Sequence, residues 1–260
     1  MNRERLQRIR NFQSLDWYPA LVIRPLTIGI MLIIADWQVL TPNRLTTIAN
    51  LVKLAGTVLI LDRDHWVASV ILLQLGILFD HLDGTMARYR RTFTKLGSYY
   101  DKVSDMITWC LIVMVLGWQA YVQSGKAMYI VFAASSVIAL NLRGYMKWLG
   151  QAETERIRWF EAKRDPSLLA KHTAPIVIKP PPERTPRDWA IWVGKRLLMV
   201  FAFEEMDLWF WLGLAMLIDR IDLVLWLMML TQVPLMLVMV VVRAVWMNRA
   251  DRQLRELETG

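Results

Sequence analysis

Apolar runs of helical length, separated by short polar breaks, dominate this chain. Residues 1–18 are the exception. Leu6, Ile9 and Phe12 recur at helical spacing, and Arg3, Arg5, Arg8 and Arg10 lie between them, a pattern that predicts an interfacial amphipathic helix. Residues 19–40 are apolar but carry Arg24 and Asp36, and the clean stretch between them is too short to span a bilayer. We read a second juxtamembrane helix there, so that residues 1–40 form one juxtamembrane segment. Leu40-Thr41-Pro42-Asn43 is a cap and turn signal. Four spanning helices are expected after it, at about 43–61, 66–88, 97–122 and 127–149, making 41–149 the first membrane block. Residues 150–194 turn charged and include Lys179-Pro180-Pro181-Pro182-Glu183-Arg184, which cannot be helix interior. They read as a solvent loop, with an amphipathic piece around Trp189–Val193. A second block, 195–247, holds a fifth span at about 208–218 and a sixth at 223–247. A charged tail, 248–260, closes the chain. The fold class is therefore an all-α integral membrane protein with six transmembrane helices, and no internal repeat is visible.

Composition agrees. Of 260 residues 55% are hydrophobic, and 13 Trp and 15 Met are present; Trp suits a site that is apolar at one end and wet at the other. Cys110 is the single cysteine, so an internal disulfide is impossible. The first residues lack the apolar core of a cleavable signal peptide. The net charge of +8 would suggest nucleic acid in a soluble protein. Here the basic residues lie in loops and termini, so an anionic membrane face and an anionic substrate account for them, with no nucleic acid partner. The expected outer connections carry only Arg63, Lys126 and Arg220. The other side carries Arg88, Arg90, Arg91, Lys95 and the basic termini, which places both termini and the 88–95 loop in the cytoplasm.

Chemistry concentrates in FDHLDGTMARYRRTFTKLGSYYDKVSD. Its pattern is D-x2-D-G-x2-A-R-x8-G-x3-D-x3-D. Asp80 and Asp83 share one face near the end of the second span; Asp101 and Asp105 share one near the start of the third. The short connection makes the helices antiparallel neighbours, so all four carboxylates can meet at one depth. Charges inside a span are costly and usually functional. Four carboxylates with no comparable cluster of Lys or Arg ask for divalent metal. Two Mg²⁺ ions (or Mn²⁺) would let such a site receive a pyrophosphate. Gly84 and Gly97 leave room for close approach, Ala87 keeps the face shallow, and Arg88 can pair with phosphate. As ordinary helix ends, these residues would be explained singly, but poorly as a set.

This run resembles the signature of the CDP-alcohol phosphatidyltransferase family at every fixed position and spacing. Thr41-Pro42-Asn43-Arg44-Leu45-Thr46 resembles the family's entry into its first membrane helix, and six spans fit its fold. The resemblance implies transfer of a phospho-alcohol from a CDP-linked donor to an alcohol acceptor, with release of CMP. It implies Asp80, Asp83, Asp101 and Asp105 as metal ligands and Asp105 also as catalytic base. It places Asn43, Arg44, Thr46, Gly84, Arg88, Thr94 and Gly97 around the CDP portion, and it suggests a homodimer. CDP-diacylglycerol is the simplest donor; transfer from CDP-choline or CDP-ethanolamine to diacylglycerol is the alternative. The acceptor stays open. Arg143, Lys147, Lys195 and Arg196 are its candidate contacts, and equally what cytoplasmic anchoring predicts. The lysine–arginine–acidic run that follows the fourth helix in phosphatidylinositol-phosphate synthases is absent, and Leu142-Arg143 to Gly150 only faintly resembles phosphatidylglycerophosphate synthases.

Several groups carry plainer readings. His81 points about 100° away from Asp80 on a helix and reads as polar packing. Lys53 and Gln74 either line the cavity or bond a neighbouring helix, with a structural role favoured. Glu204, Glu205 and Asp207 read as an interfacial break rather than a second metal site. A divalent-cation transporter is the remote alternative, weakened by carboxylates near one membrane face and by the lack of an inverted repeat; a non-catalytic scaffold ranks below it.

Overall fold

The computed structural model describes residues 3–10, 16–92, 94–165, 185–204 and 206–259. Among these every regular element is helical. Phe12, His172, the triple-proline segment and Glu205 lie outside the described residues. Two compact units divide the chain: residues 1–134 with 178–226, and 135–177 with 227–260.

The first unit opens with α1 (Arg3–Ile9), a π-helical turn (Pro19–Ile23) and α2 (Arg24–Ile34). Ile9 does not face outward as an interfacial helix requires. It is buried with Met31, Ala35, Leu45, Leu82 and Met86. The basic side chains nearby are spent on loop carbonyls. Arg90 donates to the carbonyls of Ala35, Trp37 and Leu40 at 2.7–3.0 Å, and Arg8 donates to that of Tyr89. Helix α3 (Pro42–Leu59) starts as its cap signal predicts. Thr41 accepts the Arg44 N–H at 3.3 Å and Pro42 takes a first-turn position that needs no donor. A 3₁₀ turn (Arg63–His65), capped by Asp62, hands the chain to α4 (Trp66–Arg90).

Helices α3 and α4 form the tightest pair in the unit. Gly56 makes this possible, because a Cβ there would lie 2.9 Å from Leu73 Cγ. Helix α4 ends where Arg91 adopts φ 55°, with the Thr92 N–H bonded to the Ala87 carbonyl at 3.0 Å. Thr94 then caps α5 (Lys95–Ser124) by accepting the Gly97 N–H at 2.9 Å. This stop and restart folds α5 back beside α3 and brings Asp101 and Asp105 to Asp80. After α6 begins, the unit resumes with α7 (Pro186–Leu198), a 3₁₀ turn (Met199–Ala202), α8 (Leu208–Leu217) and the start of α9. Helix α8 packs on α4, where Gln74 donates to the Trp209 carbonyl at 3.1 Å.

The second unit contains the later part of α6 (Met128–Arg164) and of α9 (Ile221–Thr259). It corrects one expectation. Residues 150–164 are not loop but continue α6, and the charged tail continues α9 as helix. The sequence looked too polar because its apolar residues are sparse, but they fall on one face of each helix. Ile157 and Phe160 pack with Trp246, Ala250, Leu254 and Leu257. The amphipathic piece expected around Trp189–Val193 is the middle of α7, closed by a capping box between Thr185 and Asp188.

Among the described residues, four helices are long and apolar enough to cross a membrane: Arg63–Arg90, Lys95–Ser124, Met128–Arg164 and Ile221–Leu257. Segments Pro19–Ile34 and Leu208–Leu217 are apolar but shorter. Helix α3 presents Leu51, Leu54 and Val58 outward, and α4 presents Val67 and Ile71. Apolar surface of that extent suits lipid contact.

Candidate metal and nucleotide site

The buried stripe of α3 runs Leu45, Thr46, Ala49, Lys53, Gly56, Thr57. It faces the end of α4 and the start of α5, so the carboxylates of those helices meet polar groups of α3. Asp80, Asp101 and Asp105 each offer an oxygen within 4.8 Å of the others. Asp83 is not part of that trio. It is 6% exposed, and the Thr46 hydroxyl donates to its Oδ2. The four aspartates thus divide into a converged three and a fourth tied to α3.

The expectation of carboxylates with no basic partner needs correction. Lys53 is 2% exposed, and its Nζ donates to Asp80 Oδ1 at 3.1 Å and to Asp105 Oδ1 at 2.7 Å. It lies seven residues after Thr46, two helical turns along the same face. A lysine in the middle of a buried stripe was the signal that pointed to the cluster.

Beside the trio opens a cavity of about 240 Å³. Asn43, Thr46, Gly84, Arg88, Thr94 and Gly97, six of the seven expected donor contacts, line it together with Asp83 and Asp101. Arg44 does not; its Nη1 donates to the Val39 carbonyl at 2.6 Å, bracing the turn before α3. Ser98 and Lys102, one turn apart on α5, are lining residues that spacing alone did not single out.

The two motif glycines have distinct steric roles. A Cβ on Gly97 would lie 2.8 Å from Thr94 Oγ1 and 3.1 Å from Asn43 Oδ1, so its absence admits both polar groups. A Cβ on Gly84 would lie 3.3 Å from Arg88 Nη1, and the guanidinium folds back over this gap. Arg88 Nη2 donates to Thr85 Oγ1 at 3.2 Å, and buried Arg24 donates to the same oxygen at 2.9 Å. The lining arginine is therefore held in place.

The other sequence candidates have these positions. Arg143 and Lys147 lie in the second unit, where Arg143 donates to Gln232. Lys195 and Arg196 lie in the first unit, on α7, with the Arg196 guanidinium 5.5 Å from the Trp192 ring. His81 pairs through Nδ1 with the Ile77 carbonyl at 3.1 Å, a packing role. Asp207 is fully buried and accepts the Tyr18 N–H at 3.0 Å through Oδ1.

The trio supplies hard carboxylate oxygens close enough to share one small cation, the donor set of Mg²⁺ or Mn²⁺. Lys53 already places one positive group against two of those oxygens. The residues present fit a divalent metal.

Comparison with known proteins points the same way. Residues 39–163 match the model of the family described as CDP-alcohol phosphatidyltransferase. Phosphatidylinositol phosphate synthase of Corynebacterium glutamicum is 27% identical over 113 residues, which are 43% of this chain and 52% of that protein. The match thus spans about half the length of this relative. The matched region contains α3, α4, α5, all four motif aspartates and every residue lining the cavity. Over that region the chain is similar to the CDP-alcohol phosphatidyltransferase family, a family of transferases.

Proposed function

We propose that this chain is a Mg²⁺-dependent CDP-alcohol phosphatidyltransferase of phospholipid biosynthesis. It would transfer the phosphatidyl group of a CDP-linked donor, most simply CDP-diacylglycerol, to an alcohol and release CMP. One observation carries the reading: the Asp80, Asp101 and Asp105 trio adjoins a cavity lined by Asn43, Thr46, Gly84, Arg88, Thr94 and Gly97. A carboxylate cluster alone would be ambiguous. Joined to an arginine, two glycines and hydroxyl groups, it suits a nucleoside diphosphate.

In this reading Asp80, Asp83, Asp101 and Asp105 hold two Mg²⁺ ions, with Mn²⁺ able to substitute. Bound metal there supplies positive charge for a diphosphate and for the developing negative charge of transfer. The chain's own residues do the remaining work. Arg88 pairs with a phosphate oxygen. Gly84 and Gly97 let the diphosphate and ribose approach backbone, and Asn43, Thr46 and Thr94 offer polar contacts. Asp105 accepts the proton of the acceptor hydroxyl. That oxygen bonds to the phosphorus bearing the donor alcohol, the anhydride P–O bond breaks, and CMP leaves with the bridging oxygen.

The relative's name makes an inositol phosphate the first acceptor to try. Lys195 and Arg196, in the same unit as the trio, are the cations proposed for an acceptor phosphate. Six spans are proposed from α3, α4, α5, α6, α8 and α9, with the site and both termini facing the cytoplasm on the distribution of basic residues.

The test is CMP release by purified protein with Mg²⁺ and CDP-diacylglycerol against inositol phosphate, glycerol 3-phosphate, inositol, serine and no acceptor. Release that requires one acceptor, and that Asp105→Asn abolishes, is the expected result. Reaction only with CDP-choline or CDP-ethanolamine and diacylglycerol would transfer the assignment to that branch. Wild-type turnover in Asp105→Asn would remove this residue as base.

A further inference from the structure

The transfer reaction as described leaves one buried charge at the site without a task. Lys53 enters the acidic trio from α3 and bonds Asp80 and Asp105 through the Oδ1 atom of each. The opposing helix is shaped for it. A Cβ on Gly76 would lie 2.4 Å from Lys53 Cγ and 3.4 Å from its Cβ, so the lysine stem crosses α4 where α4 has no side chain. The carbonyl of Ala49, 3.3 Å from the same point, closes the other side of this lane. A buried ammonium is tolerated only when paired, and clustered carboxylates are tolerated only with a cation among them. Each solves the other's problem.

The same oxygens are the ones a divalent ion needs. An ammonium and a metal cannot both take Oδ1 of Asp80 and Asp105 at close range without strong repulsion. We propose that Lys53 is a resident counter-cation of the acidic cluster, a positioning residue that holds Asp80 and Asp105 converged when the metal is away and yields their oxygens when metal binds. It thereby sets the metal affinity of the site. This rests on the reading of the trio as a metal site. Removing the lysine charge has two effects of opposite sign: the metal-free protein becomes less stable, and the metal binds more tightly. Loss of a merely structural contact would weaken both.

The experiment is an Mn²⁺ titration followed by electron paramagnetic resonance, with thermal unfolding at each metal concentration. It uses the full chain in detergent as wild type, Lys53→Met and Lys53→Gln. Lys53→Met is expected to bind Mn²⁺ at least about tenfold more tightly. It should melt below wild type without metal, and the gap should close as metal saturates. Lys53→Gln keeps a donor without the charge and should follow Lys53→Met. It also supplies the affinity, measured with Mn²⁺ present throughout, if Lys53→Met does not fold without metal. Wild-type or weaker Mn²⁺ affinity in both variants, with wild type binding normally, overturns the role of Lys53. Failure of wild type itself to bind Mn²⁺ or Mg²⁺ overturns instead the metal-site reading beneath it.

Discussion

Asp207→Asn should stabilise this protein at neutral pH and lose that advantage in acid. Asp207 is fully buried just before α8, and only its Oδ1 has a partner, the Tyr18 N–H. Among the described residues its Oδ2 has none. Burial, with Asp16 and Glu204 nearby, raises its carboxyl from 3.8 to about 6. A carboxyl whose pKa is higher folded than unfolded binds more protons in the folded state across that interval. Its protonation therefore stabilises the fold below about pH 4, and the benefit is lost as pH rises through 6. The interval from 3.8 to about 6 is worth about 3 kcal/mol at most. Solvent screening near an interface trims this to about 1–2 kcal/mol. Asparagine keeps the acceptor for Tyr18 and mimics the neutral acid at every pH. The assay is thermal or denaturant unfolding of wild type and Asp207→Asn in nanodiscs from pH 4 to 8. The two stabilities should diverge by about 1–2 kcal/mol between the ends of that range, with the variant ahead at high pH. Parallel profiles would refute the assignment of a strained, charged carboxylate.

Four further outcomes follow from the packing and the cavity. Gly117→Val should cost about 1–3 kcal/mol in unfolding experiments, because even a Cβ at 117 would lie 2.4 Å from that of Ala133 and 3.0 Å from the Tyr129 carbonyl. Gly29→Ala, inside α2 and with nothing within 4 Å of its Cβ, should raise the melting temperature, since alanine is favoured over glycine in a helix by about 0.5–1 kcal/mol. Gly97→Ala pushes on Thr94 and Asn43 and should lower CMP release at least about tenfold, chiefly through donor KM. Thr46→Val removes the hydroxyl that donates to Asp83; turnover should fall about tenfold, and Thr46→Ser should restore it.

Much of this arrangement was legible in the sequence where one residue type served one need. Thr41-Pro42 announced a helix start, and the Thr41 hydroxyl caps α3; the Thr94 cap of α5 is a second such start, two residues ahead of the one expected at 97. The spacing of the aspartates put them on facing helix ends, and the motif glycines stand where polar groups approach closely. Features that depend on tertiary partners were harder to read. Arg90 and Arg8 resemble membrane anchors until the carbonyls of Ala35, Leu40 and Tyr89 accept their hydrogen bonds. Residues 150–164 resemble a loop until a second sparse apolar stripe, on α9, meets theirs. Arg44 has the composition of a phosphate ligand, but its distance from the turn at Val39 decides otherwise.

Lys53 joins these two classes. Its position seven residues after Thr46 was legible, but its purpose was not, because the carboxylates it meets come from two other helices. The charge arithmetic gives its presence a reason. With all four aspartates ionised, as metal ligation requires, one lysine leaves the cluster three charges negative. An apolar replacement for the lysine would leave it four negative in a site largely shielded from water, where repulsion is strong. Two divalent ions would overshoot to one positive with the lysine in place, and would be neutral without it. A diphosphate entering the cavity would then meet Lys53 as one further positive charge beside those of Arg88 and Lys102. The same residue that opposes metal binding thus favours an anionic substrate once metal is bound, so metal affinity and donor affinity should respond to Lys53→Met in opposite directions.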